Sequence, residues 1–200
     1  MNVIDAAVAD LGLPATIECA GTLITLKYVT NGDADSIIAF ANSLATHDLL
    51  FLRRDIRNPK VVAAWIDQHN KGLLRTIIAE RDGEIIGSVA LARDELSWSM
   101  HVGDIRLLVS PAARGTGIAR VLLEEVMALA TSMDVIKLTA SMTPDQQGAI
   151  ALFEDQGFAP EALLRDHVRD PDGSLHDLVV FSLNLERAGA HRTAYGSPGD

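Results

Sequence analysis

The run Ile105-Arg106-Leu107-Leu108-Val109 stops at Ser110-Pro111 and gives way to Arg114-Gly115-Thr116-Gly117, after which apolar residues recur at helical spacing. Proline has no N–H to give a sheet, so the strand ends there. Ala119, Leu122, Leu123 and Val126 fall at i, i+3, i+4 and i+7 with Glu124 and Glu125 turned outward. That spacing predicts an amphipathic helix reaching about Met133. A strand, a glycine-rich turn and a helix start in this order make an anion site. The first helical N–H groups lack an acceptor within the helix, and the macrodipole adds partial positive charge there. Glycines admit the main chain close to a bulky phosphate, and Arg114 adds charge-assisted donors.

Two familiar phosphate turns are excluded by single residues. A P-loop needs Lys-Ser or Lys-Thr after its last glycine, where this chain has Ile118-Ala119. A dinucleotide fingerprint would use Gly115 and Gly117 but place its third glycine at Arg120. No ribose-binding acid ends the next strand either, since Asp134 precedes it. A glycine-loosened turn without a ligand accounts for the helix start and leaves Arg114 unexplained.

The rest of the chain alternates strands with helices. Residues 22–29 are β-branched and predict a strand, and residues 33–44 and 58–70 carry apolar residues at helical spacing. The second of these helices opens with a cap, Asn58, followed by Pro59. Arg81-Asp82-Gly83 marks a hairpin between strands at 73–80 and 84–92. A longer strand, 97–109, runs into the glycine turn. After the helix come a strand at 135–141 and a helix opened by Thr143, Pro144 and Gln146 in a capping-box pattern and stopped at Gly157. Two last strands, 161–168 and 175–185, flank the turn Asp170-Pro171-Asp172-Gly173. The expected order is β-α-α-β-β-β-α-β-α-β-β. It predicts an α/β fold, a single-domain mixed β-sheet flanked by helices on both faces, with parallel strands about the glycine turn and antiparallel hairpins at either end.

The 200 residues suit one domain. Residues 20–185 are expected to form it, with 1–19 as an N-terminal extension and 186–200 as a disordered tail, since the last stretch is small, polar and aperiodic. The net charge of −10 argues against a general nucleic-acid binder and mildly favours a cationic partner. No apolar run approaches the roughly 20 residues that span a bilayer, and the acidic N-terminus is no secretory signal. The lone cysteine, Cys19, fits a reducing compartment, so a cytoplasmic location is expected.

The pattern Arg-x-x-Gly-x-Ala at Arg114, Gly117 and Ala119, preceded by Leu-Leu-Val-Ser-Pro, resembles the pyrophosphate motif of the GNAT superfamily of acyl-CoA N-acyltransferases. The later Ala-Ile-Ala-Leu-Phe-Glu-Asp-Gln-Gly-Phe is similar to that superfamily's second helical segment. The resemblance covers residues 20–185. It implies an acetyl-CoA-dependent N-acetyltransferase working on a primary amine, small molecule or protein, by direct transfer in a ternary complex. Main-chain N–H groups of Arg114, Gly115, Thr116, Gly117, Ile118 and Ala119 would cradle the diphosphate of coenzyme A. Leu107, Leu108 and Val109 would part from the neighbouring strand, bind the pantetheine arm and polarise the thioester carbonyl. Gln146 takes the place of an asparagine that often reaches the pantetheine, although capping alone accounts for it. Phe153 stands where many members have a tyrosine that protonates the leaving thiolate. A phenyl ring cannot do this, leaving water or a group such as Ser141, or else a non-catalytic acetyl-CoA sensor as the alternative reading.

Direct transfer needs a base, because an alkyl amine is mostly protonated at neutral pH. Alternation sets His101, Gly103, Ile105 and Leu107 on one face, which makes His101 the candidate base and ranks Asp104 and Glu95 below it. Arg53 and Arg54 would meet an acceptor carboxylate or solvent. Arg165, His167 and Arg169 form a basic stripe opposite His176 and Asp177, best explained by cross-strand charge pairing. The histidines and the cysteine show no zinc-ligand spacing, so no metal is expected. Open sheet edges would suit a homodimer.

Overall fold

A computed structural model describes residues 12–52 and 54–187. One eight-stranded sheet runs through them in the order β1-β2-β3-β4-β5-β6-β8-β7. Its strands are β1 (Ala15–Cys19), β2 (Thr22–Tyr28), β3 (Leu74–Arg81), β4 (Glu84–Ala92), β5 (Val102–Val109), β6 (Lys137–Met142), β7 (Ala159–Arg169) and β8 (Leu175–Asn184). The helices are α1 (Ala34–Ser43), α2 (Pro59–Asn70), α3 (Ile118–Ser132) and α4 (Gln147–Asp155). No helix among the described residues is long and apolar enough to cross a membrane.

Central strands bury both faces, which is why β4 is buried at every position from Ile85 to Leu91, and β3 from Thr76 to Ala79, rather than at alternate ones. Ile77 belongs to the same buried core as Leu122, Leu123 and Val126 of α3, while its neighbour Ile78 belongs to the core that holds Ile37 and Phe40 of α1 and Val62 and Ile66 of α2. Helices therefore cover both faces, as the alternation of elements predicts. Asn58 caps α2 by accepting the Lys60 N–H at 3.0 Å, with Pro59 behind it at the first helical position. The β3–β4 hairpin turns on Asp82 and Gly83, at φ 53° and 81°. Both central residues of that turn lie in the left-handed region, which suits the strands' twist. β5 and β6, joined by α3, are the parallel pair; β8 then inserts between β6 and β7.

Four expectations are corrected. β1 pairs antiparallel with β2 from Ala15 to Cys19, so the sheet begins inside the supposed N-terminal extension. The strand expected from 97 begins at Val102, because the preceding residues close successive turns: Ser97 N–H to Asp94 O, Met100 N–H to Ser97 O and Val102 N–H to Ser99 O. Leu96 and Trp98 alternate with serines yet are fully exposed, so their period reflects no strand. α4 starts at Gln147, after a turn over Thr143 to Gln146. Along β7 a bulge between Leu164 and Val168, with Asp166 at φ 51°, breaks the even stripe expected of Arg165, His167 and Arg169. Of the expected tail, residues 188–200 lie outside the described residues, as does Arg53.

Candidate active site

β5 and β6 are paired only from Val102↔Lys137 to Ile105↔Ala140. Beyond Ile105 each strand stays with its other neighbour, β5 with β4 as far as Val109↔Gly87 and β6 with β8 as far as Met142↔Val179. The two strands thus part in the middle of the sheet. Ser110 gives its N–H to Ile86 O at 2.9 Å, on the β4 side. Successive residues of a strand face opposite edges, so Arg106 and Leu108 turn their main chain to β4 as well. Leu107 and Val109 turn theirs into the gap. Main-chain groups set this way require an external partner.

The gap opens into a cleft of about 550 Å³ lined by Leu107, Leu108, Val109, Arg114, Gly115, Gly117 and Ala119, with Gln146 and Phe153 on the α4 side and His47, Asp48 and Phe51 at another wall. Its floor is the glycine turn. Residues Pro111–Ala113 make a single 3-10 turn, Arg114 is extended, and Gly115 and Gly117 sit at φ 77° and 91°. Gly117 is the N-cap of α3, and a Cβ at either glycine would meet nothing within 4 Å. The positive φ demands glycine, and the space beside it is the cleft itself. Ile118 is fully buried and the Thr116 hydroxyl donates to Ala113 O at 2.7 Å, so these two face the cleft with main chain at most. The Arg114 guanidinium, half exposed, lies 2.6 Å from Asp48 Oδ2.

Gln146 Oε1 accepts the Thr143 N–H at 3.0 Å, the return half of the expected capping box. The Thr143 hydroxyl is instead 3.1 Å from His47 Nε2, which also lies 2.8 Å from Asp145 Oδ2. Phe153 is buried and meets Phe158 edge to face, with ring centroids 5.0 Å apart. It walls the cleft and carries no proton to give.

The family model of the Acetyltransferase (GNAT) family matches residues 42–158, a span that holds the parted strands, the glycine turn and α4. The chain belongs to the GNAT family of acetyltransferases. YwnH of Bacillus subtilis (strain 168), provisionally named a phosphinothricin acetyltransferase, is 20% identical over 163 residues, covering 81% of this chain and 99% of its own. An N-acetyltransferase from Staphylococcus aureus Mu50 shares the fold with a TM-score of 0.71 at 18% identity, over 81% of this chain and 98% of its own. The Salmonella typhimurium protein yncA, solved with its cofactor acetyl-CoA, does so with a TM-score of 0.69 at 18% identity, over 81% and 94%.

A second cleft of this GNAT acetyltransferase, about 800 Å³, lies against the same parting of strands. Asp104 and Arg106 of β5, Thr139 and Ser141 of β6, and His167 and Arg169 of β7 line it, with Arg54 and Arg57 from the segment ahead of α2. Phe51 borders both clefts. Arg57 is held by both carboxylate oxygens of Asp55 at 2.9 Å, and Arg106 Nε lies 3.1 Å from Asp104 Oδ2. Among the described residues Arg54 and Arg169 carry no ion pair. The acidic chain therefore lines this cleft with an excess of cations, which the overall charge gives no hint of.

The sequence-based expectations divide accordingly. Leu107, Leu108, Val109, Arg114, Gly115, Gly117, Ala119 and Gln146 come together around one cleft. His101 does not join them. It is exposed in the turn ahead of β5, its carbonyl accepts the N–H groups of Ile136 and Lys137 at 2.9 and 3.1 Å, and it lines neither cleft. The odd-numbered row that carries His101 runs into Gly103 and Ile105, packed under Leu91 and Leu138. Asp104, ranked below it, lies on the even-numbered row that faces the second cleft. The signal was present as alternation, but nothing in the sequence says which row meets the open side.

Proposed function

We propose that this protein transfers the acetyl group of acetyl-CoA directly to a primary amine, the two substrates meeting where β5 leaves β6. One observation carries the reading: the unpaired Leu107–Val109 edge lies between a cleft floored by an anion-binding turn and a cationic cleft open to a second substrate. The diphosphate of the coenzyme is received at the start of α3 by the N–H groups of Gly115, Gly117, Ile118 and Ala119 and by the Arg114 guanidinium. The N–H groups of Arg114 and Thr116 are already given to Pro111 O and Ala113 O at 3.3 and 3.4 Å. The pantetheine amides take the place of the missing β6 neighbour for Leu107 and Val109. Leu108 contributes its side chain, since its main chain is turned to β4. A main-chain N–H of this edge polarises the thioester carbonyl and stabilises the oxyanion that forms on attack.

The amine enters through the second cleft. Asp104, directly or through one water, takes the proton that the amine must lose, and the neutral nitrogen attacks the carbonyl carbon. The tetrahedral adduct then gives up the second proton of its cationic nitrogen to water and collapses with cleavage of the carbon–sulfur bond. The thiolate takes its proton from water or through Ser141, since Phe153 offers none. Arg54 and Arg169, without acidic partners among the described residues, favour an acceptor that carries an acidic group besides its amine.

The test pairs calorimetry with acetyl-CoA against thiol release over a panel of amines that differ in net charge. Binding with turnover, fastest for amines that bear a carboxylate or phosphonate, is expected. Binding without thiol release from any amine supports a coenzyme sensor instead, and no binding overturns both readings.

A further inference from the structure

Three side chains from two segments far apart in sequence converge, one of them, His47, on the wall of the first cleft. His47, in the 3-10 turn Thr46–Leu49, meets Asp170 and His176 from the tip of the β7–β8 hairpin, with one donor atom of each within 4.8 Å of the others. All three are partly buried. His176 Nε2 is 2.9 Å from Asp170 Oδ2, and the two imidazoles face each other nearly at right angles, centroids 5.4 Å apart. We propose that His47, Asp170 and His176 form a binding site for a divalent transition-metal ion of the zinc class.

Two imidazole nitrogens and one carboxylate are a donor set that zinc, cobalt or nickel accepts and that magnesium and calcium, which prefer oxygen, do not. Three protein ligands leave a fourth position for water, as in open zinc sites. Asp145, 2.8 Å from His47 Nε2, stands where ligating histidines commonly have an orienting carboxylate. The hairpin tip is also pre-shaped without the ion, because the Asp170 N–H donates to Ser174 O and the Gly173 N–H to Asp170 O, both at 2.9 Å.

The consequence is mechanical. Thr46 and Leu49 beside His47, and Arg169 and Pro171 beside Asp170, all line the second cleft. A bound ion would fasten the hairpin tip to the 46–49 turn across one end of that cleft and fix its aperture.

The test uses the full chain stripped with EDTA and returned to chelator-free buffer. Titration with ZnCl2 is expected to show one equivalent bound and a raised Tm, and MgCl2 to give neither. H176A and D170N should each lose at least about tenfold in zinc affinity, the scale on which metal sites respond to such changes. H101A, exposed and remote, should keep it. In the unaltered protein Co(II) should give visible ligand-field bands that added zinc abolishes, a readout that needs no variant to fold. Absence of a stoichiometric zinc equivalent, absence of the cobalt bands, or undiminished zinc binding by the H47A/H176A double variant overturns the proposal. Acetyl-CoA binding by the stripped protein is read separately, so failure of the metal site and failure of the acetyl-transfer reading are told apart.

Discussion

Arg114 Nη2 lies 2.6 Å from Asp48 Oδ2, so the arginine of the glycine turn is held by a carboxylate that lines the same cleft. A diphosphate entering there must share the guanidinium with Asp48 or displace it. An exposed pair of this kind contributes at most about 1 kcal/mol, whereas charge-assisted hydrogen bonds to a phosphate are worth about 1.5–3 kcal/mol each. R114A is therefore expected to weaken acetyl-CoA binding by roughly 10-fold or more. D48N should tighten it by a factor of up to about 5, an effect that shrinks as salt screens the repulsion. Calorimetry at low and high ionic strength checks both. Weaker binding by D48N would mean that the carboxylate positions Arg114 rather than competing for it.

Gly117 offers a sharper test of the turn. At φ 91° any L side chain is strained, by roughly 1–2 kcal/mol, although the space beside it is open. G117A should lower the free energy of unfolding by about that amount and also cost acetyl-CoA at least tenfold in affinity, because relief of the strain swings the α3 N–H groups away. Chemical denaturation and calorimetry on the same sample separate the two effects. A stability loss with unchanged affinity would show that the turn serves the fold alone.

The glycine turn was legible because each of its parts has a local cause. Proline ends the strand, glycine takes the positive φ, and the i, i+3, i+4 pattern sets α3 in phase. The strand parting was legible only through the family resemblance, since which pairs a strand lacks is a property of its neighbours. Misreadings arose where local pattern had no tertiary partner. Leu96, Trp98 and Met100 alternate like a strand but close turns in solvent, and that phantom extension carried His101 into the supposed site. Arg165, His167 and Arg169 alternate too, yet one left-handed residue, Asp166, bonds through its N–H to Asp177 Oδ1 at 2.8 Å and shifts the register. The convergence of His47 with Asp170 and His176 is invisible to spacing rules, because the fold alone brings them together.

Asp104 replaces His101 as the residue whose loss should slow chemistry. D104N is expected to reduce kcat/KM by about 10²–10⁴-fold while leaving acetyl-CoA affinity within about threefold, the usual scale for a general base. The deficit should shrink as pH rises towards about 10, where an alkyl amine arrives already neutral. A structural role, through the Arg106 contact at 3.1 Å, would give a deficit that does not depend on pH. Initial-rate profiles of both proteins across that range decide between them.

His69 supplies a prediction about stability that is independent of the active site. It is buried on α2, and its Nδ1 accepts the Thr76 N–H at 3.0 Å, so the ring is held neutral. Burial, and then the nearby Arg75 guanidinium, push its pKa from 6.5 down to about 4. The unfolded chain, with an ordinary imidazole, binds a proton between these values that the native protein refuses. Stability contributed by this site is therefore fully present above about pH 6.5 and falls as pH drops towards 4, below which both states are protonated and the slope vanishes. At about 1.4 kcal/mol per pH unit the loss across that window amounts to roughly 3 kcal/mol. H69Q keeps an acceptor for the Thr76 N–H and cannot titrate. Urea midpoints of the two proteins at pH 7, 5.5 and 4.5 should thus diverge, the wild type losing more stability on acidification than the variant. Parallel loss in both would assign the acid sensitivity to carboxylates instead.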